Sequence, residues 1–158
     1  MARILTLIRH AKSSWRHPEL DDKLRPLGGR GYRQLAVMAG ELAGWPRPEQ
    51  VLVSDAVRTY STALGLKVAG AFAKAPLVLE PGLYLAGAEA LLACCQAHDS
   101  PHLALVAHNP GLEALMARLG LPRPMPTLAA AQLELAGDWQ APGRVKLRHY
   151  CLPAELFQ

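Results

Sequence analysis

The sequence predicts a three-layer α/β/α domain around a mostly parallel central sheet that contains at least one antiparallel strand. Two patterns carry that prediction. Short apolar runs of strand length alternate with longer stretches whose apolar residues recur every three or four positions. Such alternation implies right-handed crossovers and a sheet covered on both faces. The chain then ends on two alternating apolar runs with no helical stretch between them, which reads as an antiparallel pair. At 158 residues and 51% hydrophobic content, it has enough apolar surface for one domain, residues 1–158, and too little length for two.

In chain order, strands are expected at residues 3–8, 51–53, 77–79 and 103–107. Tyr32, Leu35, Met38 or Ala39, Leu42 and Trp45 form one apolar stripe and predict the first helix. Val57, Ser61, Leu64, Val68 and Phe72 predict a second, with Arg58 in its opening turn. Shorter helices are expected at 88–97 and 112–119. Pro122, Pro124 and Pro126 mark a loop, and strands at 130–135 and 145–150 close the domain.

Formal net charge is +4, and the excess is concentrated. Residues 1–33 hold eight Lys or Arg against Glu19, Asp21 and Asp22, a field that favours an anionic partner. A nucleic-acid partner is not expected, because no aromatic stacking platform or Lys/Arg-rich stripe accompanies the charge. The first apolar run, residues 4–8, is far shorter than a membrane span of ~20 residues or a secretory core of ~7–15. No membrane association is expected. Cys94, Cys95 and Cys151 fit no zinc spacing and read as buried thiols of a reducing cytoplasm.

Three strand ends carry unusual chemistry. The first ends in Arg9-His10, the second in Ser54-Asp55-Ala56-Val57-Arg58, and the fourth in His108-Asn109-Pro110-Gly111. Asn109 suits an N-cap and Pro110 the first helical position. Ligands of open parallel sheets bind beyond the carboxyl ends of the strands, so all three junctions point at one rim. Two arginines and two histidines converging without a local acid repel one another unless an anion sits among them. Arginine forks match phosphate oxygens, and a neutral imidazole can attack phosphorus. The residues therefore predict a phosphoryl-binding pocket.

The stretch Arg9-His10-Ala11-Lys12-Ser13-Ser14-Trp15, then Ser54 to Thr59 with Thr62-Ala63, then His108 to Gly111, resembles the histidine phosphatase superfamily, the phosphoglycerate mutase-like proteins. Length and the first motif look most like its SixA-type phosphohistidine phosphatase branch. The resemblance implies that His10 is the nucleophile that becomes phosphorylated, with Arg9, Arg58 and His108 holding the phosphoryl oxygens. Ser13, Arg16 and Asn109 are expected to border the substrate. It implies no metal and no cofactor. Many relatives place a catalytic Glu or Asp where this chain has Leu85, with Glu80 and Glu89 the nearest substitutes. Without a proton donor, esters with poor alkoxide leaving groups should react slowly, whereas a phosphoramidate should not. The expected activity is removal of phosphate from phosphohistidine on a protein, for example a histidine phosphotransfer domain. The alternatives are a small-molecule phosphoester or phosphoanhydride phosphatase of the same superfamily and a non-catalytic phosphate-recognition module.

Overall fold

Successive side chains of a strand face opposite sides of a sheet, and β1 (Arg3–Arg9) is apolar on both. Leu5 and Leu7 pack beneath α3 (Ala88–His98) and α4 (Gly111–Arg118). Ile8 packs on the other face, beneath α1 (Gly29–Ala43) and α2 (Val57–Val68). These two cores are the inner boundaries of three layers, in a computed structural model that describes residues 2–157. The remaining elements are β2 (Gln50–Val53), β3 (Leu77–Leu79), β4 (His102–Ala107), β5 (Ala130–Leu135), β6 (Val145–Cys151) and α5 (Pro153–Leu156). Short 3₁₀ turns stand at Asp22–Leu24 and Pro81–Leu83.

The sheet order is β3-β2-β4-β1-β5-β6. The first four strands pair in parallel, while β5 runs antiparallel to both β1 and β6. The mixed α/β architecture read from the sequence is the one found, with the expected strands displaced by at most a residue at their ends. No described helix is long and apolar enough to cross a membrane.

Three local expectations are corrected. Tyr32 is half-exposed and lies off the buried stripe of α1, which runs through Leu35, Met38, Ala39 and Leu42. In α2 the predicted stripe lies on the wrong side: Leu64 and Val68 are exposed, and Phe72 follows the helix. The buried side is Arg58, Thr59, Thr62, Ala63 and Leu66. Its threonines are hidden because each hydroxyl is spent on the backbone. Thr59 Oγ1 donates to Ser54 O at 2.7 Å, and Thr62 Oγ1 donates to Arg58 O at 2.7 Å while accepting from Ala11 N at 2.9 Å. Finally, α4 starts at Gly111, so Asn109 and Pro110 both precede it. Asn109 Oδ1 still accepts from Glu113 N at 3.2 Å, one residue earlier than a normal cap.

One polar network interrupts the core. Gln132 Nε2 donates to Thr6 Oγ1 at 3.0 Å, and Thr6 Oγ1 lies 2.8 Å from His102 Nε2. The hydroxyl has one proton to give, and an unprotonated Nε2 on a neutral His102 can accept it. Burial agrees, pushing the His102 pKa down to about 4. The unfolded chain thus takes up this proton near pH 6.5 and the folded chain only near pH 4. Stability from this residue is fully present above pH 6.5 and is lost as pH falls toward 4, by up to about 3 kcal/mol. Urea unfolding of the wild type should show this decline, and His102→Gln should make it shallower. Equal slopes would mean that His102 accepts its proton in the folded state.

Candidate active site

Because β4 lies between β1 and β2, the three motif-bearing strand ends are neighbours. Arg9 pairs with Ala107, and Val53 with Val106, so His10, Ser54 and His108 leave the sheet at one level. The backbone there is tightly backed. A Cβ on Gly31 of α1 would meet Lys12 O at 2.4 Å, so only glycine lets the helix approach the loop after His10.

His10 is buried, and its Nδ1 lies 2.8 Å from Ala11 O. A carbonyl can only accept, so Nδ1 carries the proton and Nε2 keeps its lone pair. Burial, then the charges of Arg58, Arg9 and Arg25, push its pKa down to about 4. His108 Nε2 lies 2.7 Å from Ser54 Oγ, and burial followed by Arg58 pushes this pKa to about 3. Both rings are therefore neutral at pH 7. Their centroids stand 5.5 Å apart, and Tyr84 meets His108 edge-on at 5.4 Å.

The guanidinium groups are braced from behind. Arg9 Nη1 donates to Met125 O at 3.2 Å, and Asn109 Nδ2 donates to the same carbonyl at 2.8 Å. Arg25 donates to Ser13 Oγ and lies 3.8 Å over the Trp15 ring. The Nε atoms of Arg9, Arg25 and Arg58, with His108 Nδ1, are buried without a protein partner. Guanidinium groups gathered in this way suit a ligand rich in acceptor oxygens. These side chains border a cavity of about 310 Å³, together with Lys12, Asp22, Leu85 and Thr127. A second cavity of about 460 Å³, sharing Lys12 and Thr127, adjoins it but contains no histidine.

The structure thus gathers His10, Arg9, Arg58 and His108, and places Ser13 and Asn109 on the cavity wall. Arg16 is exposed and lies outside that lining. The cluster does contain a local acid, contrary to the sequence reading. Asp22 Oδ2 accepts from Arg58 Nη2 at 2.8 Å and from Tyr84 at 2.6 Å, and Oδ1 accepts from Arg25 Nη2 at 3.0 Å. The Tyr84 hydroxyl, then Arg25 and Arg58, hold its carboxyl far below the usual range. It is an anion, and no proton donor. Leu85 does stand at the cavity, 55% exposed and at φ 51°. Glu80 is turned away onto His98 at 3.1 Å and Gly82 N at 3.0 Å, and Glu89 onto Arg118 at 2.9 Å. Among the described residues, no group of three His, Cys, Asp or Glu side chains could hold a metal ion.

No model of a known protein family matches the chain. An uncharacterised chloroplastic protein of Arabidopsis thaliana is 31% identical over 173 residues, covering 97% of this chain and 79% of that protein. A solved structure from Agrobacterium tumefaciens, assigned as a phosphohistidine phosphatase SixA, is 27% identical with a TM-score of 0.80. That match covers 96% of this chain and 99% of the other. The chain is similar over nearly its whole length to SixA-type members of the histidine phosphatase superfamily and has their fold. A protein histidine phosphatase SixA solved with tungstate shares the SixA-type fold at TM-score 0.80 and 24% identity, over 97% of this chain and 99% of that one. A mycobacterial glucosyl-3-phosphoglycerate phosphatase has the same fold at TM-score 0.67 and 20% identity, over 93% and 97%. The likeness to the phosphohistidine phosphatase at 27% identity supports a histidine-phosphatase-type activity for this chain.

Sequence reasoning left the role of Arg25 open and did not place Asp22, Tyr84 or Ser54 among the site residues. Ser54 alone carried a signal, as the first residue after β2; the others come from segments that look like ordinary loops. If the cavity is the anion site, Arg9→Gln and Arg58→Gln should each weaken tungstate binding about tenfold or more by calorimetry. Arg16→Gln should change it by less than about twofold. Equal losses from all three would mean that general surface charge, and not the cavity, binds the anion.

Proposed function

We propose that the protein is a metal-independent phosphatase that passes the phosphoryl group through His10 and acts on phosphohistidine of a protein. The bond from His10 Nδ1 to Ala11 O carries this reading, because it leaves Nε2 as the basic nitrogen in a pocket of arginines. In the first step Nε2 attacks phosphorus, a new N–P bond forms, and the bond to the leaving group breaks. The leaving nitrogen takes its proton from solvent. Water then attacks the phosphoryl-His10, returning its electron pair to Nε2 and releasing phosphate. Arg9, Arg58 and His108 steady the oxygens as charge redistributes, which is where protein catalysis of phosphoryl transfer acts. Arginine forks supply the charge neutralisation that a metal supplies elsewhere.

Substrate choice follows from the missing acid. Leu85 offers no proton, Asp22 is held ionised, and Glu80 and Glu89 are engaged elsewhere. A phosphoramidate has a nitrogen that solvent can protonate, whereas an alkyl ester needs help. A macromolecular substrate is supported by the exposed Trp15 and Leu85 at the mouth and by the adjoining cavity with its Lys12 and Arg30. Three free cysteines suit a reducing compartment.

Rapid quenching during turnover should trap an acid-labile, alkali-stable phosphoryl group that is absent from His10→Ala. Phosphohistidine should outpace an unactivated alkyl phosphate by several powers of ten, with aryl phosphates between, and chelators should have no effect. Leu85→Glu should narrow the gap, since the exposed position tolerates the change. Equal wild-type rates on alkyl phosphate and phosphohistidine would defeat the substrate assignment, and a label surviving in His10→Ala would defeat the mechanism.

A further inference from the structure

Arg9, Arg25 and Arg58 bring three guanidinium groups to one cavity, and the carboxylate in its lining, Asp22, pairs with Arg25 and Arg58. Side-chain exposure rises outward, from 3% at Arg58 to 11% at Arg25 and 42% at Asp22. An anion arriving from solvent therefore reaches the level of Asp22 first, and it seeks the same donors. It cannot share them with a carboxylate without repulsion. Arg58 does not depend on that carboxylate alone. Its Nη1 also donates to the Asp22 backbone carbonyl at 2.6 Å, a bond indifferent to the side chain. Lys23 ties the same 3₁₀ turn to Asp55 at 3.0 Å, so the turn has an anchor besides the carboxylate.

We propose that Asp22 is the resident counter-anion of the pocket, holding the forks of Arg25 and Arg58 while it is empty and yielding them to an incoming oxyanion. The proposal rests on the phosphatase reading above and names the residue that sets how tightly the phosphoryl group and released phosphate are held. Asp22 is a positioning residue, acting through the two arginines. When the product leaves, the carboxylate retakes its partners. Without its charge, the empty pocket is left with uncompensated cations, and an anion that enters meets no competitor.

Asp22→Asn tests this, because it keeps the shape and one acceptor oxygen while removing the charge. Calorimetry with tungstate and with inorganic phosphate should show binding about tenfold tighter in the variant. The advantage should shrink as salt is raised. In thermal unfolding the variant should melt below the wild type without an anion, and saturating tungstate should close the deficit. Affinity that is unchanged or weaker, or a deficit that tungstate leaves intact, would overturn the proposal. None of these readouts needs turnover. If the variant tightens on tungstate while the wild type leaves phosphohistidine intact, the catalytic reading fails and this proposal is supported. A wild type that binds neither tungstate nor phosphate overturns both.

Discussion

Arg9, Arg58, His10 and His108 share one largely buried pocket, and like charges so placed repel strongly in a medium less polar than water. The structure answers that repulsion in two ways. The histidines give up charge: burial and the neighbouring arginines hold both well below their ordinary pKa. The arginines keep theirs: Arg58, together with Arg25, takes Asp22 as a counter-charge, and Met125 O accepts from Arg9. The first answer has a chemical consequence. A histidine kept neutral by its surroundings keeps a nucleophilic lone pair at pH 7, and the Ala11 carbonyl decides which nitrogen holds it.

The sheet makes this arrangement possible. Parallel strands deliver their carboxyl ends to one edge, and placing β4 between β1 and β2 makes neighbours of residues more than forty positions apart. Helices α2 and α4 begin just past the ends of β2 and β4, and glycine stands at two close approaches of helix to loop. Gly31 admits Lys12, and a Cβ on Gly111 would collide with Ala86 O at 1.9 Å, next to Leu85. Packing on the two faces of the sheet therefore controls the site indirectly, by fixing how near the helices come to the loops that line the cavity.

Strands and motifs were legible because apolar runs and chemically odd strand ends are local signals. His10, Arg58 and His108 stood at junctions that pointed to a binding edge because they converged. The buried side of α2 was not legible, because Thr59 and Thr62 look like surface residues until their hydroxyls are seen to satisfy backbone atoms. Asp22 was hidden for a related reason. It lies in an acidic, loop-like stretch, and nothing in its neighbourhood signals that a 3₁₀ turn carries it across to Arg58, 36 positions along the chain. The convergence of cations was readable; the internal anion that balances them was not. The empty family position was readable too, and Leu85 does stand at the cavity without an acid.

A crystal structure with bound tungstate would test most directly whether this cavity presents a phosphoryl group to His10. The account predicts the oxyanion on the Nε2 side of His10, roughly 3 Å away or bonded to it. Arg9 and Arg58 should donate to its oxygens, and His10 Nδ1 should remain on Ala11 O. An oxyanion lodged instead in the adjoining cavity beside Lys12 and Arg30, with His10 Nε2 untouched, would contradict it.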